Sequence, residues 1–156
     1  MAEKTTKTIK PAKATFTYAV GRRRESVARV RLYKPTNTTV AIFDGEYKAG
    51  DIVVNGKQVA EYFRFKPLEP VYKRIFELTD TLGKFVVSAK VQGGGIHAQM
   101  EAMIHGIARA LDKVDSETYH TILKQNGYLT RDERTRERRK VGTGGKARRQ
   151  KQSPKR

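Results

Sequence analysis

The sequence predicts a small α+β domain of about four strands with two or three helices on one side, carrying basic extensions at both ends. Three observations lead there. Short segments alternate apolar and polar residues with the period of two that a half-buried strand requires. Two longer segments repeat apolar residues at helical spacing. The net charge of +17 lies mostly outside these segments: residues 1–24 hold seven basic side chains and one acid, residues 131–156 twelve and three, and residues 25–130 a net of only +2. The expected organisation is a basic arm at residues 1–15, a globular domain at 16–127 and an extended basic tail at 128–156.

The arm is Lys, Thr and Ala with one Pro, a solvated composition, and ordered structure is expected from about Phe16. From Ser26 to Tyr33 the pattern alternates, with Ala28, Val30 and Leu32 on one side and Arg29, Arg31 and Tyr33 on the other. Pro35, Thr36 and Asn37 break this strand and residues 39–43 resume it. Asp44-Gly45 reads as a hairpin turn, because both central positions of a type I′ turn want positive φ. A polar excursion follows to Gly50, then a strand over residues 52–54 that ends at Asn55-Gly56.

Residues 58–63 read as a short helical turn. Leu68, Val71, Tyr72, Ile75, Phe76 and Leu78 then recur at helical spacing, with Pro67 and Pro70 suited to a helix start. Phe85, Val87, Ala89 and Val91 alternate as a strand. After Gly93, Gly94 and Gly95 comes the strongest helix, whose apolar face is Ile96, Met100, Met103, Ile104, Ile107, Leu111 and Val114. Ser116 is placed to cap one more helix carrying Tyr119, Ile122 and Leu123, stopped by Asn126-Gly127. With the helices on one sheet face, the other face, with Arg29 and Arg31, is left for solvent or ligand.

Composition narrows the partners. A pI near 10.3 with 31% charged residues points to polyanions, nucleic acid before an anionic membrane. No run of 18 apolar residues could span a bilayer, and the first residues lack the apolar core of a signal peptide, so a cytosolic protein is expected. Absence of cysteine removes disulfides, thiolate nucleophiles and Cys-ligated zinc. Ser26, Ser88, Ser116 and Ser153 stand in no nucleophile-elbow context. No enzyme, cofactor, metal or small-molecule substrate is expected.

Basic residues carry the functional reading. Residues 131–156 contain no aliphatic residue larger than Val141, too little apolar surface to offset the entropy of ordering, so the tail needs a partner to hold it. Arg suits phosphate because its planar fork donates two parallel hydrogen bonds. Arg131, Arg134, Arg138, Arg139, Lys140, Lys146, Arg148, Arg149 and Lys151 are therefore expected to thread into folded nucleic acid. Arg22, Arg23, Arg24, Arg29 and Arg31 put five guanidinium groups within ten residues, expected to dock on a phosphate ridge.

The remaining constellations read more plainly. The three glycines at 93–95 stand where a strand gives way to a helix. They can offer N–H groups to a phosphate, or simply make a tight turn of positive φ; they form neither a Walker loop nor a dinucleotide fingerprint. His97, Glu101 and His105 stand four apart, but His97 and His105 are about 12 Å apart along a helix axis, too far to share an ion. With Arg109 and Lys113 they read as a solvated or RNA-facing stripe. Tyr62, Phe63 and Phe65 read as packing residues.

Several ordered blocks then resemble a known family. GRRRESVARVRLYKP at residues 21–35, VNGKQVAEYF at 54–63, VQGGGIHAQMEAMIHGIARAL at 91–111, GYLTRDERTRERRKVG at 127–142, KARR at 146–149 and the final Lys-Arg resemble bacterial-type small-subunit ribosomal protein nine, from about residue 17 to the end. The resemblance implies a mixed four-stranded sheet like that of the second domain of ribosomal protein five, with a left-handed βαβ crossover against the usual rule. It also implies binding to ribosomal RNA of the small-subunit head beside neighbouring ribosomal proteins. Arg22, Arg23, Arg131 and Lys140 match the family's rRNA-facing blocks, and Arg148 and Arg149 its basic run. Lys155 and Arg156 match a terminal pair that reaches the anticodon stem-loop of peptidyl-site tRNA.

Two departures stand out. Ser153-Pro154 replace the Phe-Ser that commonly precedes the terminal pair, so any aromatic contact there is lost. The segment between Pro35 and Val54 is longer than usual, which marks residues 44–51 as a lineage-specific hairpin. The function expected from all this is structural: a ribosomal, cytoplasmic RNA-binding protein. A non-specific nucleic-acid chaperone or nucleoid protein is the alternative.

Overall fold

The computed structural model describes residues 15–35, 39–42, 45–139 and 141. Strands β1 (Phe16–Arg23) and β2 (Ser26–Tyr33) lead to a hairpin, β3 (Thr39–Ile42) and β4 (Gly45–Lys48), then to β5 (Ile52–Val54) and the two-residue β6 (Lys57–Gln58). Helix α1 (Val59–Tyr62), a 3-10 turn at Lys66–Leu68 and α2 (Glu69–Leu78) precede β7 (Val86–Gln92), α3 (Ile96–Val114) and α4 (Ser116–Gln125). The main sheet has the order β1-β2-β7-β5-β6, with every pairing antiparallel except β5 with β7. It is a mixed sheet of five strands, not the four expected.

The extra strand that matters is β1. Its inner face is Thr17, Ala19 and Gly21, too small to announce a buried strand, because α3 lies almost upon it. A Cβ on Gly21 would run into the Ala102 carbonyl and the Gly106 amide, and one on Gly106 would meet the Val30 side chain. Two glycines facing each other thus let the helix approach the sheet edge. Packed beneath α3 and α2, the inner sheet residues Ala28, Val30, Leu32, Val54, Val87, Ala89 and Val91 join Met100, Met103, Ile107, Leu111, Tyr72, Ile75 and Phe76 in one core. Each large aliphatic buried there contributes about 1.5–3 kcal/mol. The ends of the expected helix face are not part of it: Ile96 and Val114 are 57% and 39% exposed.

Capping differs by one residue from expectation. Asp115, not Ser116, caps α4: its backbone is extended and its carboxylate accepts hydrogen bonds from the Thr118 N–H at 3.2 Å and the Thr118 hydroxyl at 2.7 Å. Those hydrogen bonds hold its carboxyl below the usual carboxylate range. Gly127, at φ +75°, ends the helix as expected. Asn55 and Gly56 take φ of +50° and +81° between β5 and β6, as a two-residue hairpin turn demands. The Asn55 amide also exchanges two hydrogen bonds with the Val91 backbone, at 2.9 and 3.0 Å, which fastens β5 to β7.

The outer sheet face is partly roofed. Hairpin β3–β4 lays Val40, Ile42 and Tyr47 over Tyr33 and Val86, so Tyr33 is buried although it shares a face with Arg29 and Arg31. Ile42 pairs with Gly45, which puts Gly45 in a strand and turns the expected polar excursion into β4. The connecting residues, Asp44 among them, lie outside the described residues.

Candidate nucleic-acid interface

Strand alternation gives the three consecutive arginines different surroundings. Arg22 points outward and is exposed. Arg24, also exposed, sits in the two-residue connection between β1 and β2 with φ +52°. Beside this connection lies the glycine turn: a Cβ on Gly93 would press on the Glu25 carbonyl at 2.5 Å, and one on Gly94 would strike the Ser26 hydroxyl. Gly93 and Gly94 have φ of +76° and +60°, so the requirement for glycine is conformational as well as steric. The Gly93 carbonyl accepts hydrogen bonds from Ser26 Oγ at 2.9 Å and Gln99 Nε2 at 3.0 Å. Arg22, Arg24, Gly93, Gly94 and Gly95 are thereby gathered at one end of the sheet.

A second basic surface lies on the open part of the outer sheet face. Arg29 and Arg31 join Tyr18, Ser88 and Lys90 around a shallow depression of about 410 Å³. Lys90 was missed in the sequence, where β7 read only as a core strand; its register opposite Arg29 could have found it once β2 and β7 were paired. Like charges directly across a strand pair repel. Among the described residues no carboxylate forms an ion pair with Arg29, Arg31 or Lys90, so an anion bound here would relieve the repulsion. Arg31 is steadied 5.0 Å over the Phe16 ring.

Arg23 behaves otherwise. Its side chain is only 11% exposed, with Nε 2.6 Å from Glu101 Oε2 and Nη2 3.0 Å from Asp132 Oδ2. Nη1 donates to the Arg134 carbonyl at 2.9 Å. Asp132 also accepts from the Arg134 N–H at 2.9 Å and pairs with its guanidinium at 2.7 Å. These hydrogen bonds, with the charge of both arginines, pull the Asp132 carboxyl far below the carboxylate range. Arg131, Arg134, Arg138 and Arg139 are exposed. Lys140, Lys146, Arg148, Arg149, Lys151, Lys155 and Arg156 lie outside the described residues.

The polar stripe of α3 turns out to face the chain itself. His105 Nδ1 accepts the Arg22 N–H at 3.3 Å, Arg109 donates to the Val20 carbonyl at 2.6 Å and Lys113 to the Tyr18 carbonyl at 3.0 Å. Four residues of helix advance about 6.0 Å and two of strand about 6.8 Å, so the three side chains serve successive outward backbone groups of β1. Burial, foremost, holds His105 neutral by lowering its pKa, with Arg109 and Arg131 adding to the effect against hydrogen bonds to the Arg22 and Leu129 backbone. Only His97 of the stripe stays outside, against the ring of Phe65. Phe65 is itself 56% exposed, which corrects its reading as a packing residue. Among the described residues no cluster of metal-ligating side chains occurs.

The class these features define is an α+β scaffold that displays unpaired cationic side chains on a sheet face and at a turn, and anchors the start of a basic tail. The sequence profile of the family described as ribosomal protein S9/S16 matches residues 21–156, and the chain belongs to that family. Membership makes it a protein of the small ribosomal subunit, at work on ribosomes in the cytoplasm. Among particular relatives, it is 44% identical over 130 residues to the small ribosomal subunit protein uS9 of Maridesulfovibrio salexigens, an overlap covering 83% of this chain and 89% of the relative.

Proposed function

We propose that the chain is a structural, non-catalytic constituent of the small subunit that binds ribosomal RNA in the subunit head. The contacts assigned are Arg22, Arg24, Arg29, Arg31, the backbone of Gly93, Gly94 and Gly95, and the tail residues Arg131, Arg134, Arg138, Arg139, Lys140, Lys146, Arg148, Arg149 and Lys151. Arg23 serves the same interface from within. In this reading residues 1–15 and 128–156 are extensions of a domain at 16–127, neighbouring ribosomal proteins of the head pack beside it, and Lys155 and Arg156 reach the peptidyl-site tRNA. For the fold we propose the arrangement of the second domain of ribosomal protein five, with a left-handed crossover joining the parallel strands β5 and β7.

The observation that carries the RNA reading is the row Arg29, Arg31 and Lys90, held on a folded surface with no carboxylate partner among the described residues. Such groups fix register on phosphates. Reconstituting small subunits with Arg29→Glu/Arg31→Glu tests it: incorporation should fall at least about tenfold, as two lost charge-assisted contacts at about 1.5–3 kcal/mol each require. Undiminished incorporation would remove the sheet face from the interface. Equal binding of the wild type to DNA and to RNA, without fixed stoichiometry on subunits, would favour a non-specific chaperone.

A further inference from the structure

We propose that Arg23 is a positioning residue that fixes where the C-terminal tail leaves the folded body, by tying Asp132 and Arg134 at the tail root to Glu101 of α3. The proposal deepens the functional reading above and rests on it for its second test.

Three elements meet at one guanidinium. Arg23 ends β1, Glu101 lies on the second turn of α3, and Asp132 with Arg134 belongs to the segment after α4. Nε, Nη2 and Nη1 each serve a different partner, at 2.6, 3.0 and 2.9 Å. Only a planar fork reaches all three at once; an ammonium group on a flexible stem cannot. The group is largely enclosed, so its charge is not on offer to phosphate as those of Arg22 and Arg24 are. Asp132 folds the chain back through the Arg134 N–H and guanidinium.

The approach to this clasp is secured as well. Tyr128 and Leu129 pack against the core, and His105 joins the Arg22 N–H to the neighbourhood of Leu129. The root is therefore fixed at a defined point and direction beside the turn end of the sheet. That matters because the local concentration of a tethered group at its target depends on where the tether begins and which way it points. A cationic tail with its exit set in advance is presented to one region of RNA.

The absence of cysteine allows a direct test in the full-length protein. Labels at Glu117→Cys on α4 and Glu137→Cys on the tail report their distance distribution, which should be narrow in the parent. It should broaden with Arg23→Met and with Asp132→Asn, the latter leaving the Arg23–Glu101 pair in place should Arg23→Met fail to fold. Arg23→Lys, which keeps the charge without the fork, should broaden it too. An unchanged distribution in Asp132→Asn overturns the proposal, as does a narrow one in a folded Arg23→Lys.

In reconstituted subunits Asp132→Asn should weaken peptidyl-site tRNA retention about threefold or more with assembly intact, measured against a chain lacking Lys155 and Arg156. If the truncation weakens retention and Asp132→Asn does not, the clasp is a local contact without functional reach and the inference fails alone. If the truncation has no effect, the reading of the tail tip fails, and the label distances alone decide whether Arg23 fixes the tail root.

Discussion

Three arginines in a row, Arg22, Arg23 and Arg24, show how little residue type says without a backbone. Alternation along β1 sends Arg22 outward and Arg23 inward to Glu101 and Asp132, while the connection to β2 presents Arg24. Their common basic character was plain in the sequence; the inward turn was not, because Glu101 and Asp132 lie 78 and 109 positions away. Glycine was more readable at 93–95 than at 21 and 106, where the need is close approach between a strand and a helix. Gly21→Ala should lower stability by about 1–3 kcal/mol, the usual cost of overpacking, because the added methyl meets the Ala102 and Gly106 backbone rather than a side chain that can move. Urea unfolding checks this, with the midpoint falling and the slope unchanged.

His105 makes a pH-dependent prediction. Its folded pKa lies below the ordinary 6.5, so the unfolded chain binds the proton more readily. Its contribution is complete above about pH 6.5 and is lost as pH falls through the folded value. Burial foremost, then the charges of Arg109 beside it on α3 and Arg131 on the tail side, favour the neutral ring and outweigh the hydrogen bonds to the Arg22 and Leu129 backbone. Unfolding midpoints between pH 7 and pH 5 should therefore decline more in the parent than in His105→Gln.

At the scale of elements, legibility followed the strength of the repeat. Helix α3 and strand β2 were found nearly to their ends, since large aliphatics mark one side of each. Strand β1 was not, because its inward positions are the small Thr17, Ala19 and Gly21, and β6 is too short to carry any period. The hairpin β3–β4 was half seen, but that it roofs Tyr33 and Val86 could not be, since a strand's outer face looks polar or apolar according to neighbours far along the chain. The stripe of His105, Arg109 and Lys113 misled for a related reason: polar spacing on a helix marks solvent or a strand edge equally well. Because those side chains occupy the outward carbonyls of β1, Arg109→Ala/Lys113→Ala should bare an edge that can pair with a second copy. Sedimentation should show concentration-dependent association of this variant and a monomeric parent.

For the whole molecule, the division of charge was the most readable feature of all. With a body of net +2 between residues 25 and 130 and two strongly cationic ends, the function we propose is binding through phosphate neutralisation, with the body setting register and the tail adding charge. How the body holds the tail was illegible, since the clasp at Arg23 joins residues from both ends of the chain. The most direct measurement is the salt dependence of binding to small-subunit ribosomal RNA, for the full chain and for one ending at Gly142. The six Lys and Arg beyond that point, with no acid among them, should make the logarithmic slope shallower by roughly 4 to 5 units. An identical slope for the two chains would mean that the tail does not meet RNA phosphate, and would contradict the account.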